Sequence, residues 1–204
     1  MLGEFARSRL SFIPSSLVSF QTFSTTYLSG VVLSKKTGYV RNYGQNPYLN
    51  YDVIGSVPFL YFGPIDPRLP AMERVVGIWN QESSITYPYS ALSNNKITYG
   101  QLENSEFVIF FNDKTKTAVG SKNIAESRNV GSTNVFLPIA NANRLTFIYE
   151  NNKIVDLETR SEWSLLGMAL RGPLRGVKLP VVIHGDPFWF SWAAFYPNNV
   201  IKNK

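Results

Sequence analysis

The sequence of 204 residues contains no cysteine and only one histidine, His184. Without cysteine the chain cannot form disulfides, thiolate nucleophiles or cysteine-based metal sites. A single imidazole cannot build the multi-histidine sites that bind zinc or copper. We therefore expect this chain to hold no metal and no other cofactor.

Long apolar runs are also missing. None approaches the roughly 20 residues that cross a bilayer, so we expect no membrane span. The first ten residues alternate charged and apolar side chains and lack the continuous apolar centre of a signal peptide. Hydrophobic residues nevertheless make up 44% of the chain and aromatic residues 14%, which supports a real core and argues against bulk disorder.

Basic residues outnumber acidic ones, 20 against 14, which gives a formal net charge of +6. A basic balance is typical of nucleic-acid-binding proteins. However, no block of five or more basic residues occurs, and the positive charges are spread thinly along the chain. We therefore expect a solvated basic surface. Nucleic acid is disfavoured as a partner, and a specific polyanion site stays open as an alternative.

The first thirty residues align with the last thirty at one constant offset and without gaps. Both stretches share an order of glycine, base, apolar pair, aromatic pair, tyrosine and valine, which favours duplication over chance. The aligned pairs include Gly3 with Gly172, Phe20 with Trp189, Phe23 with Trp192, Tyr27 with Tyr196 and Val31 with Val200. The sequence therefore predicts a diverged internal repeat.

Each copy of the repeat predicts an extended apolar stretch, a short helix and a short strand. The helix carries aromatic residues at i, i+3 and i+7, which places them on one face as core anchors. In the second copy, Asp186 as N-cap and Pro187 in the first turn predict the helix start. Pro197 predicts its end.

The repeat divides the chain into three parts. Residues 1–33 are the closing unit of a truncated first repeat, residues 34–71 are a connector rich in Tyr, Pro and Gly, and residues 72–204 are a β-rich second repeat. Only the second copy has a long body before its closing unit. We therefore expect the chain to begin inside its first repeat, so that it is either a fragment or is completed by another polypeptide.

The body of the second repeat predicts a mainly β fold, or an α+β fold with few short helices, built from antiparallel hairpins. Asn151-Asn152 predicts a tight hairpin turn, because asparagine tolerates positive φ. We expect the apolar strand 106–112 to return through residues 117–121, and residues 121–143, rich in Asn, Ser and Ala, to form a mobile excursion. The remaining predicted strands cover residues 74–80, 85–89, 145–150 and 153–157, with a short helix near residues 90–92.

Several segments, taken together and in order, resemble the archaeal and bacterial domain-of-unknown-function family numbered 3179. These segments are TGYVRNYG (37–44), PY (47–48), DPRLP (66–70), ERVVG (73–77), YPYSAL (87–92), WSLLG (163–167), GPLRG (172–176) and FWFSWAAFYP (188–197). The resemblance implies a tandem-repeat protein, often exported, of which this chain is the second half plus the tail of the first repeat. It therefore favours an extracytoplasmic location.

The resemblance also implies a longer N-terminal half with a Trp-His-Glu and a Cys-Pro-Leu-Cys segment, candidates for metal or redox chemistry. Neither segment occurs in this chain. A Val-Asn-Asp stretch that the family carries is replaced here by Ile97-Thr98-Tyr99-Gly100. Chemistry that depends on those residues is not expected of this chain.

The connector supplies the candidate binding residues. They are Tyr39, Arg41, Tyr43, Tyr48 and Tyr51, joined by Arg74 at the start of the second repeat. Tyrosine offers a flat apolar face with a polar tip, which suits stacking on a glycan or covering a partner. Arginine can hold a carboxylate or phosphate through two hydrogen bonds. The alternative is a loop pinned between repeats, with its hydroxyls bonded to backbone.

We expect no catalytic residue. His184 and Asp186 invite a catalytic interpretation, but residues this close along the chain rarely converge on one centre, and Asp186 is predicted to cap a helix. No Gly-x-Ser-x-Gly nucleophile elbow is present. Glu158 and Glu162 could act as an acid–base pair only if they faced one cleft.

The favoured function is a non-catalytic binding or structural module that docks a partner polypeptide or a ligand through the connector. The alternatives are a scaffold half for a metal- or redox-dependent enzyme whose active residues lie in a missing N-terminal repeat, and a polyanion-binding protein. Expected partners are a protein, the missing half, a small ligand or a glycan, and self-association stays open.

Overall fold

The computed structural model describes residues 3, 4, 6, 12–41, 43, 46 and 48–202. Phe5, Arg9 and Leu10 of the repeat alignment, and Asn42 and Pro47 of the connector, lie outside these residues. The fold is mainly β with antiparallel sheets, as predicted. None of the helices in the described residues is long and apolar enough to cross a membrane.

The elements follow one another along the chain with short loops after residue 74. They are α1 (Phe20–Thr26), β1 (Val75–Trp79), β2 (Ser84–Pro88), α2 (Tyr89–Leu92), β3 (Ile97–Leu102), β4 (Ser105–Asn112), a 3₁₀ helix (Ile124–Glu126), β5 (Ser132–Phe136), β6 (Ile139–Ala140), β7 (Asn143–Arg144), β8 (Phe147–Glu150), β9 (Lys153–Asp156), β10 (Glu162–Trp163), β11 (Ala169–Arg171), β12 (His184–Gly185), α3 (Trp189–Phe195) and β13 (Val200–Ile201).

These strands form three main sheets and one small hairpin. The first sheet has the order β12-β1-β2-β13, the central sheet β3-β4-β5 and the third sheet β11-β10-β9-β8. Strands β6 and β7 pair with each other. Neighbouring strands run antiparallel, except that β13 runs parallel to β2.

Strand β4 is buried on both faces, which explains its unbroken apolar run. Val108 and Phe110 pack toward the third sheet, where they meet Phe147 and Trp163. Phe107, Ile109 and Phe111 point the opposite way and pack on the first sheet. The central sheet is therefore a shared layer between two hydrophobic cores.

Helix α3 covers the other face of the first sheet. Trp189 and Trp192 are buried there against Val75. Gly77 lets this helix approach closely, because a Cβ at this position would lie 2.5 Å from the Trp192 indole ring. Pro197 follows the end of α3, as expected.

The predicted N-cap of α3 is wrong. The cap is Phe188, which makes no side-chain capping bond. Backbone pairing moves the helix start two residues beyond the predicted one, because the Val75 amide bonds to the Pro187 carbonyl and Arg74 bridges to Phe188. The side chain of Asp186 is thereby free to accept a hydrogen bond from Thr133 instead.

The predicted return strand of β4 is also wrong. Residues 117–121 form no strand, and β4 pairs instead with β3 and with β5. Strand β5 lies inside residues 121–143 and is fully buried, so that segment is not wholly a mobile excursion. The sequence did not predict β5 because its first three residues, Ser132, Thr133 and Asn134, are polar. Their side chains are buried with hydrogen-bond partners, so apolar character does not mark the strand.

Other local predictions are confirmed. Asn151 and Asn152 have φ of 49° and 61° and form the turn between β8 and β9. The strands predicted at residues 74–80, 85–89 and 153–157 correspond to β1, β2 and β9 within one or two residues at each end. The short helix predicted near residues 90–92 is α2.

Helices α1 and α3 have matching bounds under the offset that aligns Phe20 with Trp189. Both have seven residues, and the amides of Tyr27 and Tyr196 close them in the same way. Their surroundings differ: Trp189 is fully buried, whereas Phe20 is 69% exposed. The prediction of a core anchor is therefore wrong for Phe20, and the repeat itself stays a prediction.

The segment before and through α1 lies along the β domain. The Phe12 ring contacts Trp79 at a centroid distance of 4.6 Å. Ser16 bonds to Asn134 in β5, and the ammonium of Lys178 lies 5.7 Å from the Tyr27 ring centroid. After α1, residues 31–33 form no strand and are exposed, so the predicted strand is absent there.

The connector is tied to the domain at its far end by Arg68. Its guanidinium pairs with Asp66 at 2.7 Å and donates to the carbonyls of Pro197 and Asn199. The guanidinium also lies 5.1 Å from the Trp189 ring centroid. This one side chain therefore holds the connector against the C-terminal helix and strand.

Gly77 and Gly185 face each other across β1 and β12 and offer a matched test of the α3 contact. We expect Gly77→Ala to lower the free energy of unfolding by about 2 kcal/mol, because overpacking a closed core costs roughly 1–3 kcal/mol. In Gly185→Ala the new Cβ would meet its nearest atom only at 3.7 Å. Urea unfolding should show a change of less than about 0.5 kcal/mol for this control. Equal effects would contradict the assignment.

Candidate functional site

Asp52, in the connector, inserts into the β domain and binds residues from three distant parts of the described chain. Its side chain is 0% exposed. Carboxylate oxygen Oδ2 accepts hydrogen bonds from Arg74 Nη2 at 3.0 Å and Thr117 Oγ1 at 2.6 Å. Oxygen Oδ1 accepts one from Arg128 Nη2 at 2.6 Å. A single carboxylate thus joins the connector, the residue before β1 and the loop between β4 and β5.

The charge state of Asp52 follows from these contacts. Burial by itself would raise the pKa of this carboxyl. The hydrogen bonds from Thr117, Arg74 and Arg128, with the positive charge of Arg128, outweigh burial and lower the pKa below its ordinary value. Asp52 is therefore ionised at neutral pH.

A cavity of about 410 Å³ opens beside this cluster. Its polar wall contains Asp52, Glu73, Arg74 and Arg128, and its apolar wall contains Ile54, Met72, Tyr89, Phe111 and Val130. Concave sites with an apolar lining and a few convergent polar groups are the usual sites for small ligands. Of the connector residues that the structure describes, Asp52 and Ile54 contribute to this wall.

A second polar network lies behind the cavity. The Tyr89 hydroxyl is 3.3 Å from Thr133 Oγ1, and Thr133 in turn donates to Asp186. Burial raises the pKa of both the Asp186 carboxyl and the Tyr89 hydroxyl, the latter well above its ordinary value. Asp186 therefore lies in surroundings that disfavour its negative charge, in contrast with Asp52.

Three atoms around this network have unused hydrogen-bonding capacity. Arg74 Nε, His184 Nε2 and Asp186 Oδ2 are buried and make no hydrogen bond to the described part of the chain. His184 Nδ1 is 2.7 Å from the Val182 carbonyl oxygen, so it carries the proton and donates.

The structure brings only some of the predicted binding residues together. Tyr51 packs edge-on against Phe188 at 5.8 Å, and the Arg74 guanidinium lies 4.9 Å from the same ring. Tyr48 contacts Tyr51 at 6.3 Å and is largely exposed. Tyr51 and Arg74 are thus neighbours of one aromatic ring, with Tyr48 beside them.

The other predicted residues lie on the open part of the connector. Tyr39 and Arg41 are exposed, and the Tyr43 hydroxyl bonds to Thr37 Oγ1 at 2.7 Å. No contact among the described residues links Tyr39, Arg41 or Tyr43 to the cavity. Their role in binding stays a prediction.

Asp52 and Arg128 were not singled out from the sequence. Each is an isolated charge in a segment without periodicity, and Arg128 fell in the supposed excursion. The sequence gives one indirect indication of Asp52, because it directly follows Tyr51 in the tyrosine-rich part of the connector. Tyr89 and Thr133 look like ordinary core and strand residues in the sequence.

The carboxylates considered for acid–base chemistry do not form a pair. Glu158 accepts the Thr146 amide, and Glu162 pairs with Lys153 at 2.6 Å. Arg160 bonds to Glu150 instead. Within the residues that the structure describes, no group of three or more His, Cys, Asp or Glu side chains could hold a metal ion.

The chain is a layered, mainly β protein with a buried carboxylate–arginine cluster beside a cavity. Residues 1–199 match the model of the family described as "Protein of unknown function (DUF3179)". The chain belongs to this family. No curated protein and no solved structure matches it.

Removing the charge of Asp52 should strongly lower the stability of the folded chain. We expect Asp52→Asn to lower the free energy of unfolding by about 2 kcal/mol at pH 7, because two arginines lose their counter-charge. This is below the value for a fully buried pair, since Arg128 is partly exposed. Because the pKa of Asp52 is lowered on folding, its contribution is complete above the ordinary pKa of 3.8 and is lost as the pH falls through the lower folded value.

Urea unfolding of both proteins between pH 7 and pH 2.5 would test this. The difference in free energy of unfolding between wild type and Asp52→Asn should disappear toward pH 2.5. A gap that stays constant with pH would show that shape, rather than charge, sets the role of Asp52.

For Asp186 we expect the free energy of unfolding to change with pH in the opposite direction. Because burial raises its pKa, folding favours the protonated form, and stability from this group is greatest at low pH and falls as the pH rises through the folded value. Asp186→Asn removes the buried charge and keeps an oxygen that accepts from Thr133. We expect no loss of stability at pH 7, or a gain of up to about 1 kcal/mol. A loss as large as that of Asp52→Asn would contradict this assignment.

Proposed function

We propose that the chain is a non-catalytic binding module that docks a partner polypeptide through an exposed apolar surface. We call this the docking surface and define it as the described residues of 28–65, which contain the segment after α1 and most of the connector. The observation that carries the proposal is the density of exposed large hydrophobic side chains there. Exposed large hydrophobic side chains that gather on one part of a soluble protein mark interaction sites.

The exposed members of the docking surface come from nearly every part of it. They are Leu28, Val31, Val32, Leu33, Tyr39, Val40, Tyr43, Tyr48, Leu49, Val53, Ile54, Val57, Phe59, Leu60, Phe62 and Ile65. Leu33 is 100% exposed and Phe62 is 92% exposed. Each such residue leaves apolar area in water that a partner would remove, at roughly 25 cal/mol per Å².

The comparison of the two matching units supports a protein as the partner. In the C-terminal unit, α3 packs on the first sheet and β13 adds to its edge. In the N-terminal unit, the corresponding helix keeps Phe20 exposed, and residues 31–33 are exposed and belong to no strand. A polypeptide that offers an apolar sheet with a free edge would satisfy both, by the same packing that α3 and β13 use.

The connector tyrosines add polar specificity to this apolar surface. Tyr43 and Tyr48 are about half exposed and lie beside the apolar members. Tyrosine gives much contact area for little loss of side-chain freedom, which is why it is enriched at interfaces. This supports the predicted role of Tyr39, Tyr43 and Tyr48 in partner binding.

Site-specific photo-crosslinking in cells that make the natural protein tests the proposal. A photoreactive amino acid at Val32 or Phe62 should give one discrete adduct with the same polypeptide. The same amino acid at Arg175, which is exposed but lies outside the docking surface, should give none. Replacing Tyr43 and Tyr48 by alanine should reduce the adduct severalfold.

Light scattering on the purified chain across a concentration series identifies the partner class. Mass that rises with concentration, and returns to monomer when Val31, Val32 and Leu33 become serine, would make a second copy the partner. Identical adducts at all three positions, or none at Val32 and Phe62, would refute the docking surface.

A further inference from the structure

We infer that the cavity beside Asp52 is a binding site for a small zwitterion, of the kind represented by a free α-amino acid with an apolar side chain. The inference does not rest on the polypeptide partner, although Asp52 and Ile54 of the docking surface also line the cavity. It rests on the charges of the cavity wall, on their unused hydrogen bonds and on its apolar part.

The charges around the cavity balance. Its wall carries Arg74 and Arg128 as cations and Asp52, Glu73 and Asp113 as carboxylates. Lys96 pairs with Asp113 at 2.6 Å and adds a third cation. A ligand with a net charge of either sign would leave part of this set uncompensated in a partly desolvated site. A ligand with one positive and one negative group would not.

Arg128 is the group with spare donors. Its Nη2 donates to both the main-chain oxygen and Oδ1 of Asp52. A guanidinium has five N–H donors, and within the described residues Nη1 and Nε of Arg128 make no hydrogen bond. The side chain is partly exposed on the cavity wall. Arg128 can therefore take a ligand carboxylate while Asp52 holds it in place.

Glu73 is the group with a spare acceptor. The residue is buried, and its Oε1 accepts the Ser90 amide at 3.0 Å. Its second oxygen makes no hydrogen bond to the part of the chain that the structure describes, and no ion pair among the described residues involves it. Asp52 and Asp113, by contrast, already hold cations. Glu73 is thus the carboxylate left for a ligand ammonium.

The rest of the cavity suits an apolar side chain. Met72 and Phe111 are buried core residues that reach its wall, and Ile54 and Val130 lie on the same wall. The volume of about 410 Å³ is at the lower end of the range for small-ligand sites. It therefore matches a single amino acid of large side chain better than an extended ligand.

Three probes of nearly equal size test the inference on the full chain by isothermal titration calorimetry. L-Phenylalanine carries both charges, N-acetyl-L-phenylalanine only the carboxylate, and L-phenylalaninamide only the ammonium. We expect L-phenylalanine to bind, and each of the other two to bind at least about tenfold more weakly, because each lacks one charge-assisted hydrogen bond.

Two variants assign the contacts. In Arg128→Gln, the affinity for L-phenylalanine should fall to that for L-phenylalaninamide, and the affinity for L-phenylalaninamide should not change. Glu73→Gln keeps an acceptor for the Ser90 amide. In this variant the affinity for L-phenylalanine should fall to that for N-acetyl-L-phenylalanine. Arg175→Gln, which alters an exposed arginine outside the cavity, should leave all three affinities unchanged.

Retained amide binding also shows that Arg128→Gln still has a folded cavity. The inference is overturned if the N-acetyl compound or the amide binds as tightly as L-phenylalanine, because the site would then recognise a single charge. It is equally overturned if none of the three binds at millimolar concentration, or if neither variant alters the preference. These results leave the docking surface untouched, since its crosslinks do not involve the cavity.

Discussion

The interaction of Asp52 with Arg74 and Arg128 holds together parts of the chain that no sheet connects. Strands fix the first sheet and the central sheet internally, but no described residue of the connector belongs to either sheet. The Asp52 carboxylate draws both arginines and Thr117 to one point, and the Asn50 amide adds a bond to the Val119 carbonyl at 2.7 Å. The loop between β4 and β5 is thereby ordered by a residue more than sixty positions earlier. The cavity exists because these segments meet there.

The central sheet explains why polar networks occur inside this small domain. With both faces of β4 covered, the neighbouring strand β5 must also run through the interior. Its polar residues Ser132, Thr133 and Asn134 then need partners away from water. Their side-chain oxygens find them in Thr115, in Asp186 and in Ser16 of the N-terminal segment, whereas Asn134 Nδ2 is buried without a partner among the described residues. The buried hydroxyls and carboxyls therefore order the surrounding loops as well as the strand.

The sequence was informative where a pattern is local. Apolar runs located β1, β2 and β4, and the pair Asn151-Asn152 located a turn, because strand burial and positive φ depend on the residues themselves. It failed where pairing is set at a distance. Strand β5 carries no apolar alternation at its start, so only its register with β4 reveals it. Likewise, Asp186 fits a helix cap by every local rule, yet backbone pairing of Pro187 with β1 moves the helix start.

The candidate site shows the same division. The aromatic connector and Arg74 could be recognised from composition, and Tyr51 and Arg74 do meet at Phe188. Asp52, Arg128 and Glu73 could not, because a charged residue in a loop gives no sign in the sequence of whether it is solvated or buried. Only the folded chain reveals which charges share a cavity.

The second half of the connector is anchored at two points, by Asp52 in its middle and by Arg68 near its end. The stretch between them is therefore a tethered loop whose ends cannot drift apart, and the tilted contact of Tyr61 with Phe190, at a centroid distance of 5.1 Å, restrains its middle. A tethered loop explores fewer conformations than a free tail. Its exposed Phe59, Leu60 and Phe62 would thus lose little conformational entropy on meeting a partner, so even a shallow contact there could be selective and long-lived.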